Sequence, residues 1–378
     1  MTTTPATALP VPLTGPDFGS YEAHDVHWLL QDLEDAALEA PAQERERAIQ
    51  SGEANYAESL PIEYLPSAEY EALYHEALER SGRRLAVAVG VVTDLAIAAR
   101  GGAPVFVSLA RAGTPIGILM RRWASRMRGI DAPHYTMSIV RGVGLDQTAL
   151  RYLAAHYDPA RVIFVDGWTG KGAIARELTA ALALFAETDG VVFGDELAVL
   201  ADPGHCVRIH GTREDYLIPS ACLNSTVSGL VSRTVFNREL IGADEFHGAK
   251  FYAELSHNDV SRDFLDTVCG YFAEVADDVA AGVAAAAAED RTPSWVGWKA
   301  VEQISTEYGI NDVNLVKPGV GETTRVLLRR VPWKVLVRPD RKPLLRHVLS
   351  LAEQRDVPVV EVEGLSFSCV GLIRPASR

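Results

Sequence analysis

No stretch of this chain is apolar over the roughly 20 residues that a bilayer-spanning helix needs. The closest approach, residues 275–288, is Ala-rich but carries Asp277 and Asp278, so it reads as a soluble helix. Cysteine is scarce: Cys206, Cys222, Cys269 and Cys369 are scattered, with no C-x-x-C spacing. That scatter argues against a zinc cluster and supplies no disulfide framework. The start lacks the charged-then-apolar build of a secretory signal. Residues 1–18, with Pro5, Pro10, Pro12 and Pro16 among several threonines, read as a disordered tail. These absences make the cytoplasm the expected compartment.

What is present is ample core material, with 48% hydrophobic and 23% charged residues. A length of 378 residues exceeds one ordinary domain and predicts two. The net charge of -14 counts against a polyanion partner for the chain as a whole, but the charge is unevenly spread. Residues 325–378 carry +6 and residues 1–324 carry -20. Such a sign reversal marks a domain boundary and places any polyanion-binding surface at the C-terminus.

The apolar spacing of Val26, Leu29, Leu30, Leu33 and Leu38 predicts a helical N-terminal arm within residues 19–66. Helices are expected over 68–80, behind Ser67 as a cap, and over 84–100, ended by Gly101 and Gly102. From there strands at 104–110, 135–140, 161–166 and 197–201 alternate with helices at 115–128, 149–156 and 172–187. Near-continuous apolar strands between helices predict a parallel sheet covered on both faces. The main domain is thus expected over 67–290, with residues 211–255 unassigned and a helix over 262–287. Residues 291–324 read as a linker. A small α/β unit follows at 325–378, with strands at 334–337, 357–362 and 366–373 and a helix at 342–354. At that size it is expected to lean on the main domain.

Ligands of open parallel sheets bind beyond the carboxyl ends of the strands. The strand at 161–166 ends in Asp166 and runs through Gly167, Trp168, Thr169, Gly170, Lys171 and Gly172 into a helix. Its turn amides and the helix N-terminus are suited to a phosphate, with Thr169 offering a hydroxyl and Lys171 a charge. Asp166 is placed to hold ribose hydroxyls or a Mg²⁺ ion. The alternative is a plain strand-to-helix turn. A second loop, Ala110, Arg111, Ala112, Gly113 and Thr114, leaves the neighbouring strand and enters a helix at Pro115, which is also an ordinary helix start.

The first loop resembles the phosphoribosyl-pyrophosphate signature of type I phosphoribosyltransferases, and the second falls at that family's pyrophosphate loop. Gly167 stands where most members have a second acid. The resemblance implies catalytic roles for Asp166, Arg111 and Arg141, the last between flexible glycines at the mobile catalytic loop. With the stretch from Cys222 to Gly229 and the basic tail, the chain resembles a bacterial two-domain family. That family fuses a phosphoribosyltransferase-like domain to a C-terminal Pelota-type RNA-binding domain and is linked to tellurite-resistance and stress clusters. Some members are labelled cysteine protease (StiP). The implied fold is a type I phosphoribosyltransferase-like parallel sheet plus a small Pelota/L7Ae-like domain. The implied role is making or remodelling a nucleoside-like metabolite.

The expected reaction is therefore phosphoribosyl transfer with Mg²⁺ and phosphoribosyl pyrophosphate or another ribose phosphate, by positioning and electrostatics. The acceptor side is expected within residues 222–233. The rival is a cysteine hydrolase with Cys222 as nucleophile, Asn224 nearby, and His205, His210, His247 or His257 as base. A third reading is a non-catalytic nucleotide or RNA sensor. In it, Arg329, Arg330, Lys334, Arg338, Arg341, Lys342 and Arg346 contact RNA phosphates, or else form a solvated basic surface. A homodimer is compatible with all three.

Overall fold

The computed structural model describes residues 9–40, 58–63, 65–140 and 142–374, without the Arg329 side chain. Its centre is a parallel sheet of six strands: β1 (His27–Leu29), β2 (Val105–Ala110), β3 (His134–Val140), β4 (Val162–Trp168), β5 (Leu197–Ala201) and β6 (Ile209–Thr212). Their order is β1-β3-β2-β4-β5-β6. Every pairing along that path is parallel. The short strand Gly144–Leu145 folds back antiparallel on β3. The chain leaves β2 toward β3 and returns to the other side of β2 as β4. The order therefore reverses between β2 and β4, where ligand sites of such sheets form.

Both faces are covered, which is why the strands read as apolar runs. On one face lies α1 (Ala68–Ala99), with α2 (Thr114–Arg128), α5 (Ser261–Gly270) and α6 (Ala276–Ala288) packed on it. On the other, Leu150 and Leu153 of α3 (Gln147–His156) and Leu178, Leu182 and Phe185 of α4 (Ala173–Asp189) join β-strand residues in a second core. Residues 68–99 form one helix rather than the expected two. Gly82 continues the helix, and a Cβ there would lie 3.1 Å from the Tyr271 ring, so the glycine serves close packing rather than a break.

The N-terminal region departs from the helical arm. Residues 20–38 contain no helix; β1 instead pairs with β3, with Trp28 opposite Thr136. Residues 9–18, assigned by composition to a disordered tail, are ordered: Leu13 bridges Trp28, and Phe18 is buried with its ring edge-on to Trp28 at 5.7 Å. Trp28, Tyr21 and Val26 bury completely in the main core. Backbone pairing and aromatic burial outweigh a helical spacing of leucines here.

The C-terminal unit begins earlier than the charge boundary. Its sheet runs β7 (Val316–Pro318), β10 (Cys369–Ile373), β8 (Pro332–Val337), β9 (Val359–Glu361), so β7, inside the expected linker, is an integral strand. Helices α7 (Val296–Glu307), α8 (Val320–Arg329) and α9 (Arg346–Gln354) complete it. Val301, Ile304, Phe367 and Leu372 fill a core on one face. On the other, Leu327, Val335, Val348 and Leu351 belong to the same apolar cluster as α1, so the two units share a core. Among the described residues, no helix is long and apolar enough to cross a membrane.

Candidate functional site

The two loops singled out by sequence do meet at the sheet reversal. At β2, the Ala110–Arg111 peptide is cis, and Gly113 lies so close to β4 that a Cβ would stand 2.5 Å from the Val165 carbonyl. Its amide donates to Leu109 O at 3.0 Å and that of Thr114 to Arg111 O at 3.2 Å. The Thr114 hydroxyl is buried against that of Thr136, 2.8 Å away. Ala112 is exposed beside them. Two amides expected to face a phosphate are thus engaged within the turn.

At β4 the strand continues through Gly167 and Trp168, whose partner is Ala201. Thr169 donates its hydroxyl to the fully buried Asp202. Lys171 Nζ reaches Val313 O in the C-terminal unit at 2.9 Å. Gly170 lies under the Trp168 ring, 2.3 Å from it at Cβ, and Gly172, at φ +69°, lies against Trp295 and Cys206. Gly167, Gly170 and Gly172 are buried. The loop is therefore the seam on which the C-terminal unit docks, and its hydroxyl and ammonium are engaged in protein contacts.

Asp166 is the chemically unusual group. Its carboxylate takes only the next amide, Gly167 N at 2.7 Å, among the hydrogen bonds of the described residues. Burial without a cation pushes its pKa up to about 7. No group of three or more His, Cys, Asp or Glu side chains suited to a metal forms among the described residues. Arg141 lies outside the described residues.

Arg111 enters a cluster the sequence did not suggest. Its Nη1 donates to Val231 O at 3.2 Å and stands 3.7 Å from Glu63 Oε1, a carboxylate 6% exposed. The same Glu63 oxygen accepts the Ser225 amide at 2.9 Å and its hydroxyl at 2.8 Å. Nearby, Tyr252 and Lys250 both reach Glu39, at 3.4 and 2.9 Å. These contacts tie the N-terminal region, the β2 loop and residues 222–252 into one polar centre. Contacts spanning 162 residues leave no local signal to find it by.

Cys222 precedes Ser225 by three residues, at the end of a 3₁₀ turn (Pro219–Ala221) held by α1 and α8; Arg325 Nε donates to Ala221 O at 3.2 Å. Its sulfur is buried in the main core near Tyr74. Asn224 has φ -114° and ψ -113°, a sparsely populated conformation. Burial pushes Cys206 up to about 12, and it pushes Cys269 and Cys369 up as well. Of the four histidines considered as bases, His247 Nδ1 lies 2.8 Å from Ser138 Oγ, His210 lies in β6 and His205 in the turn between β5 and β6. His257 is exposed on a 3₁₀ turn (Ala253–Asn258) packed beside Ser225–Val227.

The described basic residues of the C-terminal unit have different partners. Lys334 lies over the Trp333 and Tyr308 rings, Lys342 pairs with Glu361 at 2.6 Å, and Arg330 is exposed after α8. Arg338, Arg341 and Arg346 gather at one cleft.

Residues 19–269 match the family described as tellurite-like stress resistance cysteine protease StiP. The chain belongs to the StiP family. A relative named cysteine protease StiP, from Acinetobacter baylyi (strain ATCC 33305 / BD413 / ADP1), is 33% identical over 374 residues, covering 95% of each chain. Residues 295–375 match the PELOTA RNA binding domain, which starts at the docking seam rather than at residue 325. No solved structure matches. These findings overturn the expectation of phosphoribosyl transfer: StiP family membership and the relative's name point to a cysteine protease, the reading placed second from sequence.

Proposed function

We propose that this StiP-family chain is a cysteine hydrolase with Cys222 as its nucleophile, joined to an RNA-binding C-terminal unit. The observation that carries the assignment is the position of Cys222, which leads into Asn224 and Ser225 at the polar centre of Glu63 and Arg111. In this reading Cys222 attacks a carbonyl to form a thioester, and a base takes the thiol proton and returns it to the leaving amine. His257, on the neighbouring turn, is the histidine assigned as base. The parallel sheet keeps the layout of a phosphoribosyltransferase-like fold and serves as scaffold.

The test is peptide hydrolysis by the purified chain and labelling of its thiols with iodoacetamide. Cys222→Ser and His257→Ala are expected to abolish turnover, whereas Cys206→Ser leaves it. Unchanged turnover in Cys222→Ser would remove the assignment.

A further inference from the structure

A cleft of about 740 Å³ lies where α1, residues 203–217 and the C-terminal unit meet. Six arginines line it: Arg80 and Arg84 from α1, Arg213 beyond β6, and Arg338, Arg341 and Arg346 from the C-terminal unit. Only three carboxylates share the lining, Glu76, Glu214 and Asp215. In a chain of net charge -14 this is a concentrated positive hollow.

With six arginines against three carboxylates in the lining, the acids offset it only in part. Asp215 spends its oxygens on the Val320 and Ser368 amides, at 2.9 and 2.8 Å. Glu76 and Glu214 make pairs with Arg80 and Arg84 whose side chains are about half exposed, and such pairs are weak. Arg338 and Arg341 share the single, exposed Asp340 from outside the lining. Arg213 is held by the buried Asp202. Arg346 is exposed and makes no ion pair among the described residues. Arg84 is already positioned, its guanidinium 3.7 Å from the centroid of the Tyr216 ring.

Several guanidinium forks converging from two sides match phosphate oxygens better than an isolated carboxylate. The volume falls within the roughly 300–1,000 Å³ of small-ligand sites, enough for one nucleotide and too small for a duplex. Leu73, Leu217 and Leu344 supply apolar wall for a base or ribose. We propose that the cleft binds the phosphate group of a nucleotide, clamped between arginines of both units. The nucleotide is either free or the 5′ end of a single strand held by the C-terminal unit. The proposal is independent of the Cys222 reading.

The experiment is fluorescence anisotropy on the intact chain with a 3′-labelled single-stranded uridine hexamer, bearing either a 5′-phosphate or a 5′-hydroxyl, and unlabelled ATP as competitor. Binding at least about tenfold tighter with the 5′-phosphate assigns the strand end. ATP competing while the two hexamers bind alike assigns the free nucleotide. In either case Arg84→Ala and Arg346→Ala are each expected to weaken binding about tenfold. Lys342→Ala removes the same charge outside the cleft and is expected to cost under about twofold, and Cys222→Ser nothing. The proposal is overturned if neither probe binds at about 50 mM salt. It is equally overturned if the hexamers bind alike without ATP competition, or if Lys342→Ala weakens binding as much as Arg346→Ala.

Discussion

Thr169 donates its hydroxyl to the carboxylate of Asp202, which also accepts the Cys206 and Val207 amides and the Arg213 guanidinium. A fully buried carboxylate thus joins the β4 loop to the turn after β5. Thr169→Val is expected to lower unfolding free energy by about 1.5–3 kcal/mol, the range for a hydrogen bond to a charged group. Asp202→Ala, which strands Arg213, should cost about 3–5 kcal/mol. Urea unfolding measures both. A loss of ligand affinity at unchanged stability in Thr169→Val would instead return the hydroxyl to a phosphate role.

Gly172→Ala is expected to be as damaging as either. The position has φ +69°, and the added methyl would stand 2.4 Å from the Trp295 ring and 2.9 Å from Cys206 Sγ. Left-handed strain and overpacking together should cost about 2–4 kcal/mol. Because Trp295 opens the C-terminal unit, faster trypsin cleavage near Arg291 should accompany the loss. An unchanged midpoint and digestion pattern would show that the seam tolerates the methyl.

Much of the fold was legible because its cause is local. β2, β4 and β5 are covered on both faces, so each appears as a continuous apolar run. β1 was missed because Val26, Leu29, Leu30 and Leu33 imitate a helix face, whereas the decisive interaction, pairing with β3, lies more than a hundred residues away. β7 was read as linker for the same reason, being three residues long with its partner at Val370–Leu372. The Gly-rich loop after β4 stood out in the sequence, and its glycines have a packing cause. Gly170 and Gly172 are required there by the rings of Trp168 and Trp295 rather than by a phosphate. Glu63, which joins Arg111 to Ser225, carries no spacing signal at all.

Asp166 predicts a pH dependence. Its pKa is raised to about 7 in the folded chain, above the 3.8 of an ordinary aspartate. The folded state therefore holds a proton that the unfolded state has released, so this contribution is fully present below pH 3.8 and is lost as pH rises through 7. Asp166→Asn cannot ionise and should gain on the unmutated protein between pH 5 and pH 8, by about 1–3 kcal/mol after solvent screening. Paired urea titrations at the two pH values measure it. A gain that is equal at both would mean that Asp166 is already ionised at pH 5.

Asp215 ties the two units together at a point where neither can compensate. It caps the first turn of α8 through Val320 N and holds Ser368 N, while its own carbonyl accepts the Ser368 hydroxyl at 2.9 Å. Burial pushes its pKa up to about 6, so the carboxylate is mostly charged at neutral pH and drawn to these two amides. Asp215→Ala leaves both without an acceptor at the seam, at about 1–3 kcal/mol each. Asp215→Asn keeps one carbonyl oxygen and should lose less. The loss should appear first as local opening, with faster hydrogen exchange in α8 and β10 than in β2 or β4, because the main sheet is anchored elsewhere. Uniform acceleration across both units would instead mean that the shared core, rather than Asp215, governs docking.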